Sequence, residues 1–303
     1  MLVAAIVGFV DPYDRFGDAG DVPRRLGAQT NHVLLAMIEV RKIPASSREQ
    51  AQVVIFGDSR ARKLSEERLF QVSGQPALNL GIGGASFEET LTWLDSQASQ
   101  LPGMRVLIVA TPFERFCAAP AANTAVEAEP IARHTYRYLL NVRLLRQSLG
   151  LLMEKPSAAG AKPKASAPAD ILAARDESVR ATWRRLFSGY EAARATRRVE
   201  SLRANLEPLH ARGVKVVFWC PPLRPDVGRF IPELRLEAER QRIASLLAAT
   251  APLVDMTHAS ELGGTPLIFT DPVHNQNGPA IIEHLVATAL RGASPILPVP
   301  ASP

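Results

Sequence analysis

Short apolar runs rich in β-branched residues recur along the chain, and each ends in a turn or a polar loop. Most of these runs are followed by a stretch of helical character. This alternation is typical of a parallel sheet covered by helices on both faces. The runs predict five strands, at residues 53–56, 76–80, 105–110, 214–219 and 253–255. We therefore expect an α/β protein built as a three-layer α/β/α sandwich, with ligands gathering beyond the carboxyl ends of the strands.

Between and after these strands, the hydrophobic pattern predicts helices at residues 87–97, 184–212 and 281–290. Gly213 stands where a helix commonly ends. About a hundred residues separate the third and fourth strands, although a parallel crossover needs only about a dozen. The spacing therefore predicts an insertion, at about residues 117–182, that is helical at first and flexible afterwards.

The first part of the insertion, residues 131–153, alternates Tyr136 and several leucines with arginines. This pattern predicts an amphipathic basic helix. Two interpretations fit: the helix packs on the sheet, or it contacts an anionic membrane or a partner. Residues 154–170 contain almost no large apolar side chain. Their Pro, Ala, Ser and Lys content predicts a solvated, mobile loop.

The composition is that of a folded, soluble protein. Of 303 residues, 47% are hydrophobic and 21% charged, which excludes a disordered tail, a fibrous repeat and a multi-span membrane protein. Lys and Arg number 35 against 30 Asp and Glu and are spread along the chain, so we expect no nucleic-acid partner. Cys117 and Cys220 are too few for a disulfide scaffold or a multi-cysteine metal site. They form either one disulfide or, as we expect, two free thiols.

The chain opens with an uncharged apolar run, residues 1–10, shorter than the roughly 20 residues that span a bilayer. It also lacks the basic residues that begin a signal peptide. The run is either a buried strand or short helix, or the outer half of an anchor or export signal that starts upstream. We favour the second interpretation, because a buried strand seldom opens a chain without a polar flank. It makes residues 1–20 a truncated membrane anchor or export segment, and residues 293–303 are predicted to be a tail.

A serine follows the first predicted strand, in the sequence Gly57-Asp58-Ser59-Arg60. On a strand-to-helix turn its hydroxyl lies at the sheet edge near the amino end of a helix, which suits a nucleophile. The amide of Ser59 could help to stabilise an oxyanion there, and Gly57 allows the tight backbone path. Taken alone, the tetrapeptide is equally compatible with an ordinary turn.

An acid and an imidazole stand near the carboxyl end of the chain, in Asp271-Pro272-Val273-His274. The spacing lets both side chains reach the same edge of a turn, so that Asp271 can hold one ring nitrogen of His274 while the other faces a serine. In the alternative interpretation, Asp271 caps the turn and His274 lies at the surface. The first interpretation predicts a triad with Ser59.

A glycine-rich loop, residues 79–86, follows the second strand and leads into a helix, so its backbone amides could face an anion. It lacks the Lys-Ser/Thr ending of a phosphate-binding loop and fits the dinucleotide fingerprint poorly. An oxyanion donor is therefore favoured over a nucleotide site. The histidines show no H-x-x-x-H pairing, so we expect neither a metal nor a cofactor.

These three motifs in this order resemble the SGNH/GDSL hydrolase superfamily: G-D-S after the first strand, N-x-x-x-x-G after the second and D-x-x-H near the end. The resemblance covers residues 53–290 apart from the insertion and makes residues 50–292 a hydrolase-like domain. It implies a flavodoxin-like sandwich with a five-stranded parallel sheet. It further implies that Ser59 is the nucleophile, His274 the general base and Asp271 its orienting acid. The amides of Ser59 and Gly84 would line the oxyanion hole.

One family motif is absent. The superfamily has G-x-N-D after the third strand, where this chain has Thr111-Pro112-Phe113-Glu114, so the asparagine that donates to the oxyanion is missing. Losing one such donor costs about 10²–10³ in turnover. Arg60, Thr111 and Arg115 are the candidates for a substitute donor or for substrate binding, although Arg60 could also simply face solvent.

A looser resemblance links the chain to membrane-associated members of the superfamily, the alginate-type O-acetylation and teichoic-acid D-alanylation proteins. It rests on Asp11-Pro12-Tyr13, on the D-x-x-H motif and on the large insertion. It implies an extracytoplasmic protein, anchored through its amino terminus, that acts on acyl esters of a cell-envelope or exported polysaccharide, with a membrane-bound acyltransferase as partner.

Three functional hypotheses follow. The first is a serine-dependent ester hydrolase or O-acyltransferase that forms an acyl-enzyme on Ser59. The second is a weak or inactive module that binds polysaccharide or scaffolds an envelope synthesis complex, and Phe113 in place of asparagine is its best support. The third is a lipid esterase or thioesterase, which would prefer long acyl chains.

Overall fold

The structure is a computed structural model. It describes residues 3–5, 32–120, 123–141, 144–146, 148–149 and 169–291. The described residues fall into two compact units, one drawn from residues 1–44 and 123–173 and the other from residues 45–122 and 174–303. Each unit is described separately below.

The larger unit is built on a five-stranded sheet. Its strands are β1 (Val53–Phe56), β2 (Ala77–Asn79), β3 (Val106–Ala110), β4 (Lys215–Cys220) and β5 (Leu253–Asp255). All neighbours pair in parallel, in the order β2-β1-β3-β4-β5. Every residue of β1 and β3 is buried, which explains why these strands are continuous apolar runs rather than alternating ones. The predicted fold class is confirmed.

Helices cover both faces of this sheet. They are α2 (Ala45–Gln50), α3 (Ser59–Arg62), α4 (Glu66–Ser73), α5 (Phe87–Ala98), α6 (Phe113–Cys117), α10 (Ala192–Ala211), α11 (Pro225–Gly228), α12 (Phe230–Glu233), α13 (Glu237–Ala248), α14 (Gly278–Arg291) and the larger part of α9 (Ala169–Ser188). Side chains of α4 and α14 pack with Ile55, Ile108 and Val217 on one face. On the other face, Val109 meets Leu94 of α5 and Leu202 of α10. A small antiparallel pair, β6 (Glu261–Leu262) and β7 (Thr265–Pro266), follows β5.

The predicted single helix at residues 184–212 is wrong. The chain instead forms α9 and α10, and the break includes Gly189. A Cβ at Gly189 would lie 3.4 Å from the carbonyl oxygen of Cys117 and 3.3 Å from that of Leu186. The helix therefore stops where a neighbouring segment passes close to its backbone, a contact that the local pattern does not reveal.

The smaller unit contains α1 (His32–Lys42), which packs against α7 (Thr124–Arg133), and a short helix α8 (Thr135–Leu139). The predicted continuous helix at residues 131–153 is wrong, because His134 between α7 and α8 is extended (φ −113°, ψ 115°). The break changes the buried face: Tyr138 and Leu144 are buried, whereas Tyr136 and Leu140 are more than half exposed.

Several sequence predictions fall on residues that the structure does not describe. The predicted anchor at residues 1–20 is described only at residues 3–5, and the predicted tail at residues 293–303 not at all. Of the predicted loop at residues 154–170, only Ala169 and Asp170 are described, as the start of α9. None of the helices in the described ranges has both the length and the apolar character needed to cross a membrane.

Candidate active site

The turn after β1 holds Ser59 at the carboxyl edge of the sheet. Gly57 adopts a φ of +147°, and a Cβ there would lie only 2.6 Å from the Cβ of Ala110 on β3, so this position requires glycine. Asp58 caps α3, and its Oδ1 accepts a hydrogen bond from the backbone N–H of Arg60 at 2.9 Å. Ser59 is thereby fixed as the first residue of α3, and it is half-buried.

Ser59, His274 and Asp271 form a continuous hydrogen-bonded chain. Nε2 of His274 lies 2.8 Å from Oγ of Ser59, and Nδ1 of His274 lies 2.6 Å from Oδ2 of Asp271. Residues separated by 215 positions in sequence thus meet at hydrogen-bonding distance, in the order that a Ser-His-Asp triad requires. The His274 side chain is 17% exposed, so a substrate can reach it from solvent.

Hydrogen bonds between neighbouring residues of the loop fix the position of His274. Oδ1 of Asp271 accepts hydrogen bonds from the N–H groups of Val273 (3.0 Å) and His274 (2.9 Å). The N–H of Thr270 donates to the carbonyl oxygen of His274 at 2.8 Å. Burial by itself raises the pKa of Asp271, but the hydrogen bonds from these amides and from the imidazole outweigh it and hold the pKa below its ordinary value. Asp271 is therefore ionised at neutral pH and orients the ring.

Hydrogen bonds of Asn79 hold the glycine-rich loop against α3 and the residues that follow it. Nδ2 of Asn79 donates to the carbonyl oxygens of Ala61 (2.8 Å) and Leu64 (2.6 Å), and its Oδ1 accepts from the N–H of Gly81 (2.9 Å). A Cβ at Gly81 would lie 2.5 Å from the backbone nitrogen of Arg62. Close packing of this loop against α3 therefore depends on the side chain of Asn79 and on the absence of a side chain at Gly81.

Gly84, the predicted oxyanion donor, lies near the end of the same loop. It is exposed and adopts a φ of +73°. The loop is anchored to the nucleophile turn by a hydrogen bond from the N–H of Ile82 to the carbonyl oxygen of Gly57 at 2.8 Å. The next residues start α5, where Ser86 and Glu89 form a capping box. The structure thus brings the loop beside the turn that holds Ser59.

Arg60, the residue after Ser59, lies in a buried charge cluster. Its Nε and Nη2 donate to the carboxylate of Asp58 at 3.3 Å and 2.6 Å, and Nη2 also donates to Glu114. Arg60 is 5% exposed, so the interpretation that it faces solvent is wrong. Burial disfavours the charged forms of both Asp58 and Arg60. The Arg60 guanidinium nevertheless holds the pKa of Asp58 well below its usual range. In turn, the carboxylates of Asp58 and Glu114 raise the pKa of Arg60.

Arg115 and Thr111, the other two predicted substrate contacts, lie in different environments. Nη2 of Arg115 is 3.5 Å from Oδ2 of Asp58, and its side chain is 25% exposed. Thr111 is buried and its N–H donates to the carbonyl oxygen of Trp219 at 2.7 Å. Arg115 therefore has access to solvent beside the nucleophile turn, whereas Thr111 serves the packing of β3 on β4.

Phe113 occupies the place of the missing asparagine and points into the core. It is 2% exposed, and its ring lies 6.2 Å from that of Phe187 and 5.9 Å from that of Tyr190. The adjacent Glu114 supplies the second carboxylate of the Arg60 cluster. Sequence reasoning missed this role of Glu114; its only signal was an acid directly after the third strand. The side chain of Phe113 therefore packs in the core and offers no polar donor.

The two cysteines are buried free thiols. Sγ of Cys220 lies 3.2 Å from the carbonyl oxygen of Thr111, and Sγ of Cys117 lies 3.6 Å from that of Phe113. Burial raises the pKa of Cys220 well above its ordinary value and raises that of Cys117 too. Neither thiol is an activated nucleophile. In the described parts of the chain, His, Cys, Asp and Glu side chains do not converge in a group of three that could hold a metal ion.

No protein-family model and no curated protein matches the chain. Among solved structures, a proposed acylhydrolase from Bacteroides fragilis is similar with a TM-score of 0.41 and 15% identity, over 87% of this chain and 99% of that one. A GDSL-like lipase from Bacteroides thetaiotaomicron is similar with a TM-score of 0.40 and 12% identity, over 92% of this chain and 97% of that one. Similarity this remote does not indicate what the chain binds or converts.

Proposed function

We propose that the protein is a serine-dependent ester hydrolase of the SGNH/GDSL type that works through an acyl-enzyme on Ser59. The hydrogen-bonded chain from Asp271 through His274 to Ser59 carries this proposal. Such a chain activates a serine hydroxyl, because the imidazole takes the proton as the oxygen attacks, and the ionised carboxylate stabilises the imidazolium that results.

The reaction then has two halves. Oγ of Ser59 attacks the acyl carbonyl while its proton passes to Nε2 of His274, and the negative carbonyl oxygen is received by the amides of Ser59 and Gly84. The alcohol leaves with the proton from His274, and an acyl ester remains on Ser59. In the second half, His274 takes a proton from water as the water oxygen attacks the acyl carbon. It then returns that proton to Oγ of Ser59 as the bond between Oγ and the acyl carbon breaks, and the carboxylic acid leaves. A sugar hydroxyl in place of water would make the same chemistry an O-acyl transfer.

The substrate class is a further step of the proposal. We infer short acyl esters, such as acetyl groups, on a cell-envelope or exported polysaccharide, and an extracytoplasmic site of action with a membrane-bound acyltransferase as partner. The looser resemblance through Asp11-Pro12-Tyr13 and the D-x-x-H motif supports this inference. The described site requires no cofactor or metal for the steps above.

A non-catalytic binding module is the second candidate. The observation that favours it is Phe113, whose buried ring stands where the superfamily places a side-chain oxyanion donor. Arg115, whose side chain is 25% exposed and lies 3.5 Å from Oδ2 of Asp58, could replace that donor. The catalytic proposal therefore expects a slow enzyme, with turnover reduced by about 10²–10³ relative to a site with all its donors, unless Arg115 compensates.

The test is a comparison of ester substrates with the purified full chain. We expect release of acetate from 4-nitrophenyl acetate and from an O-acetylated polysaccharide. For 4-nitrophenyl palmitate we expect kcat/KM to be lower by at least about tenfold, because one methylene group more or less in an acyl pocket changes the binding of the transition state by about 1–3 kcal/mol. A preference for the long chain would contradict the substrate class and favour a lipid esterase. A folded protein that cleaves none of these esters while retaining the polysaccharide would favour the binding module.

A further inference from the structure

Exposed basic and apolar side chains occur together in the smaller unit, on α8 and the residues on either side of it. We call residues 133–149 the basic segment. Apart from Thr135, its described residues expose three arginines and three large apolar side chains, namely Arg133, Arg137, Arg146, Tyr136, Leu140 and Leu149. The hydrolytic steps proposed above use none of them.

The apolar side chains of the basic segment are left in solvent by the local fold. Tyr136 is 58% and Leu140 56% exposed. The N–H of Leu140 donates to the carbonyl oxygen of Tyr136 at 3.0 Å, so the two side chains lie one helical turn apart on the same face. Tyr138 and Leu144 fill the buried face instead. A tyrosine and a leucine exposed side by side indicate a surface that is covered by a partner.

The charge around this apolar face is of one sign. Residues 131–153 contain four arginines and no acid, and the nearest acids in sequence are Glu129 and Glu154. Nε of Arg137 donates to the hydroxyl group of Tyr136 at 3.1 Å, and the guanidinium lies 5.9 Å from the centre of that ring. The cation is therefore held beside the apolar face, as in segments that lie in a membrane interface.

An anionic lipid surface is the partner that fits both properties. Leucine and tyrosine side chains enter the boundary between headgroups and acyl chains, where the tyrosine hydroxyl group stays at headgroup level. Arginines pair with the lipid phosphates. The core of a protein–protein interface is depleted of charged residues, whereas Arg137 directly contacts Tyr136 here. An anionic polysaccharide would engage the arginines but leave Leu140 in water.

We propose that the basic segment docks the protein on a membrane surface that contains anionic lipids, and that it lies in the interface without crossing the bilayer. Arg133 and Arg137 contact the headgroups, and Tyr136 and Leu140 insert beneath them. The proposal concerns the smaller unit and goes beyond the proposed function. It does not depend on ester hydrolysis, whose reacting groups belong to the larger unit.

The binding test is cosedimentation of the purified full chain with lipid vesicles. One set is phosphatidylcholine alone, and the other is an equal mixture of phosphatidylcholine and phosphatidylglycerol. In dilute buffer we expect about 10²-fold tighter binding to the mixed vesicles, because each of three arginines contributes about a factor of five. Added salt should weaken this preference. The apolar run at residues 1–10 is uncharged, so binding through it would not distinguish the two sets.

Two double variants separate the basic segment from the overall charge of the protein. Arg133→Gln combined with Arg137→Gln should weaken binding to the mixed vesicles by about 25-fold, which is two factors of five. Arg197→Gln combined with Arg203→Gln is the matched control. It removes the same charge from two exposed arginines of α10, in the larger unit, and should change the affinity by less than about twofold.

A third variant tests the apolar contribution. Leu140→Ser should weaken binding to the mixed vesicles roughly fivefold, as expected when about half of a leucine side chain no longer leaves water. Ile268→Ser is its control, because Ile268 is also aliphatic and 56% exposed but belongs to the larger unit, and it should bind like the wild type. Melting temperatures verify that all variants are folded.

The proposal is overturned if the full chain binds both sets of vesicles equally, if the two double variants lose equal affinity, or if Leu140→Ser binds like Ile268→Ser. Retention by soluble polyglucuronate without vesicle binding would also overturn it and assign the arginines to an anionic polysaccharide. Ester hydrolysis measured on the same preparations tests Ser59 separately. Vesicle binding by a protein that hydrolyses no ester would uphold the docking surface and reject the enzyme, and the converse result would do the reverse.

Discussion

Replacing Ser59 by Ala is expected to abolish ester hydrolysis, with kcat lowered by about 10⁴–10⁶-fold, as for other triad serines. The reason is that the attacking atom is removed while its surroundings remain. Within the described structure, the only side-chain hydrogen bond of Ser59 is the 2.8 Å bond with Nε2 of His274. The measurement is the steady-state rate with 4-nitrophenyl acetate, with the melting temperature recorded to check the fold.

Ser201→Ala provides the control for this prediction. Ser201 is an exposed serine on α10, and its loss should leave both the rate and the melting temperature unchanged. A Ser59→Ala protein that keeps a tenth or more of the wild-type rate would contradict the assignment of Ser59 as nucleophile.

Replacing Arg60 by Met is expected to lower the free energy of unfolding by about 3–5 kcal/mol at pH 7, the cost of leaving buried charges without their partner. Asp58 and Glu114 are only 4% and 3% exposed. Among the ion pairs of the described residues, Glu114 would keep none, and Asp58 would retain only the one with Arg115 at 3.5 Å. Urea unfolding at pH 7 measures this loss.

The same variant should reverse the pH dependence of stability. In the wild type the pKa of Asp58 is held low, so its contribution is fully present above the unfolded-state pKa of about 3.9 and is lost as the pH falls below it. Without Arg60, burial raises the pKa of Asp58 above that of the unfolded chain. The Arg60→Met protein should then become more stable as the pH is lowered from 7 towards 5.

Arg197→Met is the matched control. Arg197 is 66% exposed and lies 3.8 Å from Glu191, so its loss should cost less than about 1 kcal/mol and leave the pH trend unchanged. If Arg60→Met cost as little as Arg197→Met, or kept the acid dependence of the wild type, the buried cluster would not have the energetic role assigned to it.

The sheet could be predicted from sequence because its strands are buried on both faces. Each of the five predicted runs overlaps an observed strand, and β1 coincides with it throughout. The helices were less predictable. The pattern of leucines and arginines at residues 131–153 does not reveal the extended backbone at His134, and the stop at Gly189 depends on the approach of a distant carbonyl group from Cys117.

The candidate site, too, could be predicted from the sequence only in part. The Asp271 and His274 pair could be predicted because three positions of separation suffice to join the two side chains in one turn. The position of Arg60 could not, since its burial depends on Glu114, 54 residues away after another strand. Local motifs thus predicted which three side chains meet, but not the buried groups beside them.

The measurement that tests the central claim most directly is covalent labelling with a fluorophosphonate, read by the intact mass of the full chain. A single adduct is expected on the wild type and on Ser201→Ala, and none on Ser59→Ala. His274→Ala should react about 10²–10⁴-fold more slowly, because the serine has lost its general base. Equal labelling of Ser59→Ala and wild type, or a folded wild type that takes up no label, would contradict an activated Ser59.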